Sequence, residues 1–125
     1  SMAMCKHDRN LTDEQLKALA QNGGVAQVCL LDRYINEDYK NASLTDAIEH
    51  IDHMVKVAGI DHVGIGSDFD GGGGIIGCES DNDFIQITVK LIEKGYTEED
   101  IAKIWGGNLM RVLDEVQATA SVKTL

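Results

Sequence analysis

The segment that most constrains the fold is residues 60–77, which read IDHVGIGSDFDGGGGIIG. It begins as a predicted strand. Because side chains alternate along a strand, its first glycines share a face with Asp68 and Asp70. The glycine run at residues 71–74 then ends the strand and allows the backbone to pass close to a ligand. Carboxylates at the end of a strand lie where α/β folds place their chemistry. The alternative interpretation is an ordinary turn rich in Asp and Gly.

The acidic composition limits the classes of partner. The chain of 125 residues has 21 Asp and Glu against 11 Lys and Arg, a formal net charge of −10. Nucleic acid and anionic lipid are not expected as partners, because binding either one needs clustered Lys and Arg. The sequence contains no run of about 18 apolar residues, so no membrane-spanning segment is predicted.

The cysteines predict a reduced protein. Cys5, Cys29 and Cys78 are far apart and form no CxxC pair, so they are not expected to hold a structural zinc ion. Cys29 lies in an apolar run and is interpreted as a small buried residue. Reduced thiols favour a cytoplasmic location.

Apolar residues at helical spacing and capping signals predict helices at residues 11–22, 43–58, 83–94, 98–105 and 109–118. Thr12 with Gln15, and Ser43 with Asp46, are typical of helix N-termini. Asn108 is the predicted cap of the last helix. The apolar residues predicted to face inward are Leu16, Leu19, Ile48, Ile51, Val55, Ala58, Phe84, Ile87, Leu91, Ile92, Leu109, Val112, Leu113 and Val116.

Two strands are predicted, one at residues 25–31 and one that begins at residue 60. Residues 33–41 are a predicted loop, and residues 121–125 are expected to fray. Helices that alternate with apolar strands predict parallel β/α units. Two parallel strands cannot form a sheet that is covered on both faces. The chain is therefore expected to be a fragment of a larger α/β protein or a subunit that completes its sheet by association.

Several motifs then permit a family to be named. The segments RNLTDEQLKALAQNGGV, SLTDAIEHIDHMVKVAGIDHVGIGSDFDG and GYTEEDIAKIWGGNLMRV occur in this order. Together they resemble the C-terminal third of the membrane (renal) dipeptidase family of zinc peptidases, over about residues 5–116. The resemblance implies a partial (β/α)8 barrel in which residues 1–125 supply the last two β/α units and the C-terminal helices.

The resemblance also implies a chemistry, the hydrolysis of dipeptides at a centre of two zinc ions whose bridging water attacks the peptide carbonyl. Asp68 is expected to take the proton of that water and pass it to the leaving amine. Arg9 is expected to hold the substrate's carboxylate, for which a guanidinium is well shaped. Tyr34 lies where the family places a tyrosine that contacts the substrate.

The zinc ligands of the family, a His-x-Asp, a bridging Glu and two later His, come from earlier strands that this sequence does not contain. The isolated chain is therefore expected neither to bind the zinc pair nor to hydrolyse dipeptides. His50 and His53 could converge on one ion, with Asp52 near, but they are interpreted as structural because the family's zincs lie at strand ends. Asp70 is interpreted mainly as a turn residue, or else as one that orients Arg9.

Two other interpretations stay open. The chain could be a non-catalytic half-barrel or pseudoenzyme that pairs with a partner chain. It could also bind a divalent ion through Asp68, Asp70 and histidines at a dimer interface. For the fragment of a larger α/β protein, an uncovered parallel sheet edge predicts a homo-oligomer.

Overall fold

The computed structural model describes residues 1–122, as an α/β fold in which helices surround a small parallel sheet. The strands are β1 (Ala26–Val28) and β2 (Val63–Ile65). The helices are α1 (Asp13–Gln21), α2 (Asp32–Ile35), α3 (Leu44–Ala58), α4 (Phe84–Glu93), α5 (Glu98–Ala102) and α6 (Asn108–Val122). Among the described residues we find no helix that could span a lipid bilayer. The expected fraying at the end of the chain concerns in part residues 123–125, which lie outside the described residues.

The sheet is parallel, as the sequence predicts, but its strands are shorter. The strands β1 and β2 pair over three residues each. Two backbone hydrogen bonds continue the ladder, from the Gly66 N–H to the Val28 carbonyl at 2.9 Å and from the Leu30 N–H to the Ser67 carbonyl at 3.0 Å. The pairing is interrupted at Asp68, whose φ of 68° is left-handed and incompatible with a strand. After the turn, a single parallel bridge joins Leu31 and Gly74.

The left-handed conformation of Asp68 shows that the predicted alternation of strand side chains does not extend to Asp70. Asp70 does not share a strand face with Asp68, because it lies in the 3₁₀ turn Phe69–Gly71 that Asp68 begins. The side chain of Asp70 is exposed. The turn interpretation of Asp70 fits this position.

The N-termini of α1 and α3 match their predicted signals. Thr12 and Gln15 form a reciprocal capping box at α1, and Ser43 and Asp46 form another at α3. The predicted loop at residues 33–41 is wrong, because α2 and a 3₁₀ turn at Tyr39–Asn41 occupy most of it.

The core lies between α3, the sheet and the helices that flank them. The burial of α3 follows its apolar stripe, since residues three and four apart share a helix face. The most completely buried apolar side chains are Leu16, Leu30, Ile51, Val63, Ile87, Leu91 and Ile104.

The last two predicted helices join without a cap at Asn108. A π-helical turn, Lys103–Gly107, leads directly into α6 and kinks at Gly106. Asn108 is buried, and its amide donates to the carbonyls of Ile60 at 2.7 Å and Val63 at 2.8 Å. The predicted capping role is therefore wrong, and the side chain instead ties α6 to the start of β2.

Part of the predicted inward-facing set is exposed. On α6, Leu109, Leu113 and Val116 are 48%, 44% and 60% exposed, and on α4 Ile92 is 59% exposed. Helical spacing identifies the apolar face of a helix, but it does not say whether another element covers that face. Within residues 1–120 no element packs over these side chains.

Candidate functional site

A cleft of about 340 Å³ opens at the carboxyl ends of β1 and β2. Three of its lining residues are those that the sequence analysis singled out, namely Arg9, Tyr34 and Asp68. Arg9 comes from the segment before α1, Tyr34 from α2, and Asp68 from the end of β2. Residues far apart in the sequence thus meet at the sheet edge where α/β folds place their chemistry.

Local hydrogen bonds hold the backbone conformation around Asp68. Asp68 is the one non-glycine residue with positive φ among the described residues. Its carbonyl accepts the N–H groups of Gly71 at 3.0 Å and Gly73 at 2.6 Å. Asp tolerates the left-handed region better than most residues, because its short polar side chain can hydrogen-bond locally. This turn directs the chain out of the sheet and leaves the carboxylate at the cleft.

Two of the glycines that follow are needed for space. A Cβ on Gly71 would clash with Asp68 Oδ1, and a Cβ on Gly73 would lie 2.6 Å from the Asp68 carbonyl oxygen. Such contacts force the neighbouring atoms to move. Glycine at these two positions therefore permits both the turn and the placement of the carboxylate.

Arg9 presents a guanidinium to the cleft. Its Cζ lies 5.9 Å from the centroid of the Tyr34 ring, a cation–π arrangement. The His7 ring packs against the same tyrosine at 4.6 Å between centroids, and His7 Nδ1 accepts the Arg9 N–H at 3.1 Å. Within the described part of the chain no carboxylate lies within 4.0 Å of the Arg9 guanidinium, so it can bind an incoming anion.

Asn10 is a positioning residue that residue patterns alone did not reveal. Its amide donates to the carbonyls of Cys5 and Tyr34, at 2.9 Å each. These bonds tie the segment that carries Arg9 to α2. The sequence signal was the Arg9-Asn10 pair within the family motif.

Cys29 also belongs to the cleft, which corrects its interpretation as a small buried core residue. It is only half-buried, and its Sγ lies 3.6 Å from Asp68 Oδ2. Burial and then the neighbouring Asp68 carboxylate raise the pKa of this thiol above its usual value. No sequence signal predicts this position, because the predicted strand at residues 25–31 contains Cys29, whereas β1 ends at Val28.

The two histidines of α3 have structural partners. His50 is buried, with Nδ1 2.7 Å from the Ser1 amino nitrogen and Nε2 2.9 Å from the Ile35 carbonyl oxygen. Burial lowers the pKa of His50 to about 4, so its ring is neutral at pH 7. His53 Nε2 lies 2.7 Å from Asp13 Oδ1. Both rings thus make the contacts with neighbouring elements that their structural interpretation requires.

The described residues do not fit a metal centre. Within residues 1–120 no three His, Cys, Asp or Glu side chains are grouped closely enough to hold an ion. The cleft offers a thiol and a carboxylate, at Cys29 and Asp68, while both ring nitrogens of His50 are already engaged. A zinc pair would therefore need ligands from outside these residues.

The model of the membrane dipeptidase family, peptidase family M19, matches residues 1–125. The chain belongs to this family. Dipeptidase aclJ from Aspergillus oryzae is 37% identical over 120 residues, which are 94% of this chain and 28% of that relative. Dipeptidase ataJ from Aspergillus terreus is 38% identical over 122 residues, 96% of this chain and 30% of that relative.

Solved structures of dipeptidases have the same fold over most of the chain. The probable dipeptidase PvdM from Pseudomonas aeruginosa has a TM-score of 0.85 at 29% identity, over 93% of this chain and 43% of that one. A metallopeptidase from Rhodobacter sphaeroides, liganded with a phosphinate mimic of the dipeptide L-Ala-D-Ala, has a TM-score of 0.85 at 28% identity, over 90% of this chain and 33% of that one. The M19 family is a family of metallopeptidases. The chain spans less than a third of the two Aspergillus relatives and less than half of these two structures.

Proposed function

We propose that this chain is the part of a zinc-dependent dipeptidase that binds the substrate's carboxylate and transfers protons during hydrolysis. The observation that carries the proposal is the convergence of Arg9, Tyr34 and Asp68 on one cleft at the carboxyl edge of both strands. An anion binder and a carboxylate acid–base group within one small cleft match two neighbouring parts of a dipeptide. These are the free carboxylate of the C-terminal residue and the peptide bond to be cleaved, whose nitrogen belongs to the same residue.

Arg9 is the proposed carboxylate binder. Its guanidinium is held against the Tyr34 ring and has no carboxylate partner among the described residues. A guanidinium can donate two parallel hydrogen bonds to one carboxylate, which fixes the orientation of the substrate as well as its affinity. Tyr34 restricts the guanidinium to one side of the cleft and contacts the bound substrate.

Asp68 is the proposed acid–base residue. Its carboxylate faces the cleft from a turn that two glycines make possible. In this position it accepts a proton from the attacking water and donates a proton to the nitrogen of the leaving amine, which balances the reaction.

The remainder of the site is proposed to come from other parts of a longer protein. We propose that the two β/α units close a (β/α)8 barrel, and that the two zinc ions expected from the family are held by residues outside this chain. The share of the solved relatives that the chain covers, 33% and 43%, supports this proposal. The isolated chain is then inactive, and its dipeptide substrate binds productively only in the complete barrel.

A chimera tests the proposal. This chain replaces the corresponding segment of the Rhodobacter sphaeroides metallopeptidase, and hydrolysis of a panel of dipeptides is measured. Arg9→Gln should raise KM about ten- to hundredfold, because a charged hydrogen-bond partner contributes roughly 1.5–3 kcal/mol. The matched control Arg33→Gln removes an exposed arginine of α2 and should leave KM unchanged.

The chimera also distinguishes the proposed activity from the alternative of a non-catalytic half-barrel. A folded, metal-loaded chimera that hydrolyses none of the dipeptides would overturn the proposed activity. That result would favour a non-catalytic half-barrel that binds a partner chain.

A further inference from the structure

The carboxylate of Asp68 has different surroundings on its two oxygens. Oδ1 occupies the space beside Gly71 that a Cβ would fill, whereas Oδ2 lies 3.6 Å from Cys29 Sγ. The contact joins the ends of the two strands, since Cys29 directly follows β1 and Asp68 closely follows β2. The Cys29 side chain, at the end of the neighbouring strand, thus contacts the carboxylate on its Oδ2 side.

The Cys29 side chain is a thiol at neutral pH and so can donate a hydrogen. Burial raises its pKa most, and the Asp68 carboxylate raises it further, while the Leu31 backbone and the Arg9 charge act in the opposite direction. A protonated thiol is a poor nucleophile. Its proton is instead available to the adjacent carboxylate oxygen.

We infer that Cys29 is a positioning residue, whose thiol donates to Asp68 Oδ2 and holds the carboxylate at the sheet edge. Positioning matters here because Arg9 lines the same cleft and carries the opposite charge. A carboxylate released from Cys29 is attracted to the guanidinium, and such a pair would occupy both the carboxylate binder and the acid–base residue. The inference rests on the proposed function for its catalytic meaning, but the contact itself is measurable in the isolated chain.

The first measurement uses the 125-residue chain and alkylation of Cys29 by iodoacetamide, followed by peptide mass from pH 7 to pH 10. Asp68→Asn should lower the midpoint of the reactivity profile and speed alkylation at pH 8 about three- to tenfold, because the negative acceptor is lost. Asn also tolerates the left-handed backbone at this position. Asp70→Asn is the matched control, exposed in the same turn, and should leave the rate within about twofold.

The buried thiols of Cys5 and Cys78 report whether each variant stays folded. If they remain protected and Asp68→Asn leaves the Cys29 profile unchanged, the inference is overturned. If they become reactive in Asp68→Asn, Asp68→Ser provides the same test with a smaller side chain. The same acceleration is expected there, and its absence is equally contradictory.

The second measurement uses the chimera. Cys29→Ala should lower kcat several-fold with less than a twofold change in KM, and Cys29→Ser, which keeps a donor, should recover most of the loss. Equal kcat values for the alanine and serine variants would contradict the inference. An inactive chimera in which Cys29 still responds to Asp68→Asn would instead contradict the proposed function and leave the contact standing.

Discussion

Two regions of the molecule differ in how far neighbouring residues engage their side chains. One is the sheet edge that carries Asp68, and the other is the outer faces of α4 and α6. At the edge, Asn10, Cys29 and two glycines place the cleft residues through specific contacts. On the outer faces, large apolar side chains such as Ile85, at 60% exposed, have no element over them within the described residues. The described residues therefore position the cleft side chains through local contacts but leave apolar surface on two helices exposed.

The largest expected effect of this difference is on stability. Leu16 is fully buried and Leu113 is 44% exposed, so the same substitution tests both regions. Leu16→Ala should lower the free energy of unfolding by about 2–5 kcal/mol. Leu113→Ala should lower it by less than about 1 kcal/mol. Urea unfolding of both variants makes the comparison, and equal losses would show that the outer face is covered in solution.

A second effect is a loss of stability in mild acid. Burial lowers the pKa of His50 from 6.5 to about 4. Between these values the unfolded chain binds a proton that the folded chain does not, so stability falls as the pH drops from about 6.5 towards about 4. The loss can reach about 3 kcal/mol.

Urea unfolding at pH 6.0 and pH 4.5 measures this dependence. His50→Gln should be less stable at both pH values but should show a smaller difference between them. His53→Gln, at a half-buried position, should keep most of the difference. An unchanged pH dependence in His50→Gln would show that the loss of stability in acid does not come from the His50 ring.

A smaller effect tests the turn at the site. Gly73→Ala places a Cβ against the Asp68 carbonyl and should cost about 1–3 kcal/mol. Asp70→Ala is the control, because Asp70 is an exposed residue of the same turn, and its effect should stay within about 0.5 kcal/mol. Thermal unfolding compares the two variants, and a neutral Gly73→Ala would mean that the Asp68 turn relaxes freely.

The smallest expected effect concerns association. We propose that the uncovered faces and sheet edge make the isolated chain a homo-oligomer, because exposed apolar patches favour association. Val116→Asp should lower the mass measured by light scattering towards that of a monomer. Lys17→Asp, at an exposed site on α1, should leave the mass unchanged. A wild-type chain that is monomeric at all concentrations would contradict this proposal.

Local rules predicted the parts of the fold that depend on neighbours in sequence. The capping boxes at Thr12 and Ser43 and the burial along α3 follow from helical geometry, so residue types at fixed spacing suffice. Asp68 was found because a carboxylate after an apolar strand lies at a sheet edge.

The sequence predictions are wrong at positions where contacts with distant parts of the chain determine the structure. The left-handed φ of Asp68 ended the strand that alternation would have extended to Asp70. Asn108 has the residue type of a cap, yet its amide serves two carbonyls from another part of the chain. Val116 lies on a correctly predicted apolar face, but spacing alone cannot reveal whether another element covers it.

The most direct test of the account is kcat for dipeptide hydrolysis by the chimera with Asp68→Asn, measured beside Asp70→Asn. Removal of an acid–base group predicts a loss of about 10²- to 10⁴-fold for Asp68→Asn, with Asp70→Asn within about threefold of the unmodified chimera. Equal kcat values for the two variants would contradict the central claim that Asp68 transfers protons at this cleft.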